Sequence, residues 1–432
     1  MRLNSLASEA ASASAYESYA HARSRHVATQ SKTANMNIPL RPRTILRPSV
    51  VSMAAMSASF AAWLFPSFGV LWKGFDNPSR LDLGTFTVLA CWYLLIFVSF
   101  TAGEKVGGLL VFRRSPPTAR LLSLKSNLIY YGFTLLSATG IAATLIRVFQ
   151  LLSLQQAIAA IALGQANQLK DALYEDYSMG LVSLRYLVLY PASIALYRIF
   201  RSRSFTLLNI FNVLLLAIST LLSSRLIFIA TLLTLVFLLS FDKRSIRVSI
   251  PKLITIATLL FLVLAVLNYS RNKDYYERNK MSFGAAGASE ILAYVGSPFQ
   301  VAIGTAQVTE HIIGGDPDSY RDYVDIEITL MTNSAFFHLH QQMGYFSWVY
   351  IALMCLFMGL VFEALASLGE TIFLLPCGAI LYGSAELWRL DLFQQGAFIV
   401  WFVIGIGLPA LLIGSQRLFA FVANAPRTTR SV

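Results

Sequence analysis

The chain has 432 residues, of which 56% are hydrophobic and only 13% charged, with a formal net charge of +12. Soluble domains carry roughly 25% charged residues, and a water-soluble fold of this length could not bury so much apolar surface. The composition therefore excludes an ordinary soluble protein and points to an all-α, polytopic integral membrane protein.

Residues 1–35 are rich in Ala and Ser, contain Arg23, Arg25 and His26, and hold no apolar run. They lack the h-region of a signal peptide. The readings open are a disordered tail, a segment resembling a transit peptide, and an extension upstream of a true start at Met36. Either way, residues 1–48 read as a tail on the cytoplasmic side.

Apolar runs follow, most of about 18 to 22 residues and so long enough to cross a hydrocarbon core roughly 30 Å thick. With no hydrogen-bonding solvent in lipid, such spans are expected to be helices. They are expected at 50–70, 83–102, 128–149, 179–200, two within 205–241 broken at Ser223-Ser224-Arg225, 251–270, 345–366, 371–386 and 396–413. This makes about ten spans: seven within 49–270 and three within 345–415, before a tail at 416–432. The ninth is the shortest and holds Pro376 and Gly378.

Between the seventh and eighth spans lies one large loop, 271–344, assigned to the extracytoplasmic side. It opens with Arg271, Tyr275, Tyr276 and Arg278, turns Gly- and Ala-rich, and continues as an amphipathic stretch over 290–311. That stretch is expected to lie on the membrane surface or cap a cavity. A turn at 314–318 and an acidic run to Glu327 follow, with Arg321 between them. The loop's aromatic content argues against simple disorder, and loops of this length in compact proteins are commonly functional.

Orientation comes from the distribution of Lys and Arg. Connections on one side hold 22 of the 34 basic residues and 6 of the 22 acidic ones, which makes that side cytoplasmic with both termini on it. Those basic loops act as topology signals and membrane-lipid contacts, and nucleic-acid binding is not expected. Cys91, Cys355 and Cys377 all fall in spans and form neither a disulfide framework nor a zinc set. No P-loop, GxGxxG or HExxH occurs, and neither a cofactor nor a metal is expected.

The remaining charges carry the functional argument. Arg147, Arg185, Arg225, Arg271, Glu386, Arg389 and Asp391 all fall toward the opposite, outer face. A charge in or near hydrocarbon is costly and faces a partner or a polar cavity. One reading is that each arginine snorkels or pairs, as Arg389 could with Glu386 or Asp391. The other is a shared anion, because the guanidinium is always charged and its planar fork fits a phosphate.

The layout resembles the O-antigen (Wzy-type) polymerases, also called oligosaccharide repeat-unit polymerases. Ser223-Ser224-Arg225-Leu226 entering a span resembles that family's Ser-Arg element, and Arg271 and Arg278 open the large loop as arginines do there. The stretch from Gly344-Tyr345-Phe346 to Gly359-Leu360 resembles the aromatic loop end and Gly-containing span that follow. Residues 386–393 resemble a late arginine-plus-acid element. Ten spans are fewer than many members show.

The resemblance implies transfer of a growing glycan from polyprenyl diphosphate to a hydroxyl of an incoming lipid-linked repeat unit. The resemblance also implies the outer face of a bacterial inner membrane as the place and a separate chain-length regulator as a partner. It places Arg225, Arg271, Arg278, Arg389, Asp391 and His338 in the catalytic set. It places Arg147, Arg185, Arg321, Tyr275, Tyr276 and Glu386 in substrate binding. The general base is left open among His311, His338, His340, Glu290 and Asp391, and the 338–340 spacing suggests a strand or loop. A flippase or transporter of a lipid-linked sugar and an O-antigen ligase-type enzyme are the alternatives.

Overall fold

The computed structural model describes residues 45–67, 81–111, 124–151, 180–222, 225–241, 280–307, 313–314, 333–368 and 371–423. Positions 155, 255, 258–259, 261–262, 265–266, 269 and 277 are also described. Residues 41–244 and 261–432 form one compact unit and residues 1–40 with 245–260 another; the architecture below is that of the first. Among the described residues every element is helical and none is a strand.

In chain order the helices are α1 (Pro48–Ser67), α2 (Leu83–Val111), α3 (Leu124–Leu151), a 3-10 segment (Leu181–Val188) running into α4 (Leu189–Ser202), α5 (Leu207–Leu222) and α6 (Arg225–Ser240). They continue as α7 (Phe283–Gln307), α8 (Ala335–Met343), α9 (Phe346–Leu368), α10 (Thr371–Glu386) and α11 (Gly396–Ala423). Residues Leu83–Leu110, Asn127–Gln150 and Phe346–Leu368 are long and apolar enough to cross a membrane, and shorter apolar helices accompany them. These apolar helices mark a membrane protein.

Local chemistry sets the helix ends. Pro48 occupies the first helical position of α1, where its missing N–H costs nothing. Asp82 precedes α2, and its Oδ1 accepts the Thr85 N–H at 2.7 Å; that bond holds its carboxyl below the usual range. α4 ends at Arg203 in the left-handed conformation, φ 52°. α5 and α6 flank residues 223–224, where the sequence divides the long apolar run.

Glycines decide the closest packing. A Cβ on Gly359 of α9 would lie 2.6 Å from the Phe100 carbonyl oxygen of α2, and one on Gly107 would lie 2.5 Å from the Leu360 carbonyl. A Cβ on Gly103 would collide with the Leu356 carbonyl. In lipid, apolar burial gives helices little reason to associate, so close backbone approach through small residues supplies the attraction. The contacts advance together, Gly103 with Leu356 and Gly107 with Leu360, so α2 and α9 run parallel.

The segment read as one large loop contains two packed helices, α7 and α8. The amphipathic stretch expected over 290–311 is helical, from Phe283 to Gln307, and packs on α1. Ser59 Oγ of α1 donates to the Val295 carbonyl at 2.7 Å and Trp63 Nε1 to Gln300 Oε1 at 2.6 Å. Phe299 packs among Phe60, Trp63 and Tyr93. Ser289, Ser297, Gln300 and Thr305 are all fully buried, so the polar face of α7 is covered as well as the apolar one. Periodicity shows an amphipathic face without showing what covers it.

Candidate functional site

The turn joining α10 to α11 holds three of the charged residues singled out above, Glu386, Arg389 and Asp391. α10 stops at Glu386, whose carbonyl accepts from the N–H groups of Arg389 and Leu390, both at 2.8 Å. This wrap brings the Arg389 side chain back over its own helix end. Its Nε and Nη2 donate to one carboxylate oxygen of Glu386 at 2.9 and 2.6 Å. The guanidinium carbon sits 5.0 Å from the Tyr294 ring centroid, and Trp388 meets the same ring edge-on at 6.1 Å. Burial opposes the charge on Arg389, but Glu386 and the neighbouring tyrosines outweigh it and raise its proton affinity. Of the two acidic partners open to Arg389, the fold selects Glu386. The pair therefore occupies two donors that a phosphate would need, and it clamps α7 to the turn.

Asp391 faces a different environment. Its Oδ1 accepts the Phe393 N–H at 3.1 Å, capping the short 3-10 turn Leu392–Gln394. Its Oδ2 accepts the Tyr350 hydroxyl of α9 at 3.2 Å. The residue is fully buried. Loss of water pushes its carboxyl up to about 6, while the bonds from Tyr350 and Phe393 pull the other way. A carboxyl poised there changes protonation close to neutrality, as acid–base chemistry requires.

Arg185 lies in the 3-10 segment between Gly180 and α4. It is 1% exposed. Nη2 donates to the Tyr186 hydroxyl at 3.1 Å, and the guanidinium lies 5.0 Å from that ring. Nε and Nη1 are buried with no hydrogen-bond partner. The segment is pressed on α3 at Gly140, where a Cβ would collide with the Arg185 backbone nitrogen. Trp401 of α11 fastens the other side, donating from Nε1 to the Tyr186 carbonyl at 2.6 Å. A 3-10 stretch running into a helix often marks strain or a functional position.

The histidines need a correction. His338 and His340 lie on helix α8, not on a strand or loop. Two residues apart on a helix, they project from nearly opposite faces. His340 is buried between Phe336 and Tyr345. His338 is half-buried, with Nε2 3.1 Å from Gln342 Nε2, and burial lowers its proton affinity. Among the described residues no three His, Cys, Asp or Glu side chains converge as a metal site.

Arg147 is half-buried near the end of α3 and has an interaction partner. Arg225 is the first residue of α6, but its side chain, like that of Glu290, lies outside the description. Arg271, Tyr275, Tyr276, Arg278, His311 and Arg321 lie outside the described residues altogether. The structure thus places Glu386 and Arg389 together, with Asp391 in the same turn, and holds Arg185 in a separate setting. Tyr350 and Tyr186 were not singled out from sequence; a tyrosine inside an apolar span, where its hydroxyl needs a partner, is the signal that could have found them.

No protein-family model, curated protein or solved structure matches the chain.

Proposed function

We propose that the chain is a membrane-embedded glycosyltransferase that polymerises polyprenyl-diphosphate-linked oligosaccharide repeat units into a surface polysaccharide. The reaction belongs at the outer face of a bacterial inner membrane, in a chain of about ten crossings with both termini cytoplasmic. The observation that carries this reading is Asp391, buried and bonded to Tyr350 and the Phe393 N–H, its carboxyl raised to about 6, in a turn that also holds Trp388 and the Glu386–Arg389 pair against Tyr294 of α7. A carboxylate of that basicity is suited to accept a hydroxyl proton, and aromatic faces suit sugar rings.

In this scheme the acceptor hydroxyl oxygen attacks the anomeric carbon of the donor's reducing-end sugar. Its proton passes to Asp391, the bond from that carbon to the diphosphate oxygen breaks, and polyprenyl diphosphate leaves with the electron pair. Tyr350 positions the carboxylate. Because Asp391 is closed over by its neighbours, the turn opens to admit substrate. Arginines of the outer set stabilise the departing diphosphate as its charge develops. The parallel course of α2 and α9 agrees with their being the second and eighth crossings, which must run the same way.

Arg185 favours a second reading. Its backbone meets Gly140, near the middle of the candidate span Asn127–Gln150, and a buried cation at that level also suits the path of a transporter for a lipid-linked sugar.

Gene deletion with glycan analysis tests these readings. A polymerase mutant retains single lipid-linked repeat units and loses the polymer ladder, and wild-type chain restores the ladder while Asp391→Asn does not. Units accumulating on the cytoplasmic side would establish the transporter. An intact polymer left unattached to its final acceptor would establish the ligase.

A further inference from the structure

We propose that Arg185 anchors an intramembrane anion site of the phosphate or diphosphate class, distinct from the Glu386–Arg389 turn. Three observations carry it. First, the guanidinium is 1% exposed yet satisfies only one of its three nitrogens, through Nη2 to Tyr186. Second, among the described residues no carboxylate pairs with it; the ion pairs described there join Arg47 to Glu104 and Arg389 to Glu386. Third, Ser219 of α5, a helix packed on the same 3-10 segment, has a buried hydroxyl that also lacks a partner.

A permanently charged group removed from water without compensation is strongly unfavourable, and arginine cannot escape by losing its proton. A bound anion resolves this. The two unsatisfied donors, Nε and Nη1, lie on different edges of the guanidinium, each shared with Nη2, and the several acceptor oxygens of a phosphate or diphosphate can meet them at separate points. The surroundings hold the guanidinium still. Gly140 lets the segment lie against α3, Tyr186 stacks beside the charge, and Trp401 fixes the Tyr186 carbonyl. A site on a rigid frame needs little rearrangement to bind.

The anion can come from an isoprenoid diphosphate headgroup or from free diphosphate. This deepens the proposed function, whose outer arginines include Arg185; binding and glycan transfer are measured separately, so either can fail without the other.

The test uses the full chain purified in detergent. Thermal midpoints are measured with inorganic diphosphate, farnesyl diphosphate, farnesol or sulfate, for wild type, Arg185→Lys and Arg185→Met. The expected result is a dose-dependent rise in the wild-type midpoint with a diphosphate, abolished in Arg185→Met and reduced in Arg185→Lys. A rise with farnesyl diphosphate alone identifies a lipid headgroup; an equal rise with inorganic diphosphate identifies a free anion. Without added anion, Arg185→Met is expected to melt no lower than wild type, since it removes an uncompensated charge. A purely structural arginine would instead leave that variant destabilised. The proposal is overturned by no rise with either diphosphate, an equal rise in Arg185→Met, or a rise with farnesol equal to that with farnesyl diphosphate. Sulfate matching the diphosphates would mean an adventitious ion only, and would also overturn it.

Discussion

Asp391→Asn separates chemistry from stability at one position. The carboxyl rises from its ordinary 3.8 to about 6 on folding because it is buried. Below pH 3.8 both folded and unfolded chains carry the proton, and the residue costs nothing. Between 3.8 and 6 the unfolded chain ionises while the folded one does not, so stability falls as pH rises. Above pH 6 the full cost of about 3 kcal/mol is present, from 1.36 kcal/mol per pH unit. Asparagine is neutral throughout and close in shape. Its Oδ1 can accept the Phe393 N–H, and its amide can donate to the Tyr350 hydroxyl oxygen. The variant should therefore melt at or above wild type at pH 7.5, and the difference should shrink as pH falls from 6 toward 4. Scanning-fluorimetry midpoints across that range, in one detergent and at constant ionic strength, provide the check. A variant clearly less stable than wild type at pH 7.5, or a difference unchanged with pH, would refute the argument that burial governs this carboxyl.

Three further outcomes follow from packing and pairing. Gly359→Ala sets a methyl against the Phe100 carbonyl, with backbone on both sides; overpacking of this kind costs about 1–3 kcal/mol, read as a lower midpoint or poorer yield of monodisperse protein. Glu386→Gln leaves the Arg389 guanidinium buried without its carboxylate and should cost about 3–5 kcal/mol. The double variant Glu386→Gln/Arg389→Met should recover part of this, as a double-mutant cycle would measure. Glu104→Ala removes the acceptor of both the Ser49 N–H and hydroxyl at the start of α1, each at 3.0 Å. A loss of about 1–3 kcal/mol should appear as faster proteolysis near that helix, with Glu104→Gln intermediate.

Much of the helical layout was legible in the chain because each span must bury its own backbone bonds. The expected edge at 83 matches the start of α2, and 371–386 coincides with α10. Pro376 left α10 intact, as packed helices in lipid allow. The loop 271–344 was less legible: α7 is interrupted by Gly, Ser and Pro and α8 is only nine residues long, and what makes them interior elements is contact with α1 and α2, far away in sequence.

The candidate site divides in the same way. That Arg185, Glu386, Arg389 and Asp391 stand apart from the bulk of the basic residues follows from sequence, because charge in an apolar run is conspicuous and the Lys and Arg of the loops are not. Their fates do not follow from it. The helix end at Glu386 folds Arg389 back onto its own carboxylate, Tyr350 arrives from α9 to hold Asp391, and Gly140 seats Arg185 where no carboxylate among the described residues pairs with it. Composition determines that a charge will be buried. Only tertiary structure decides whether it is neutralised by a neighbour, held near its proton's release point, or left with two donors open, because partners come from helices distant in the chain.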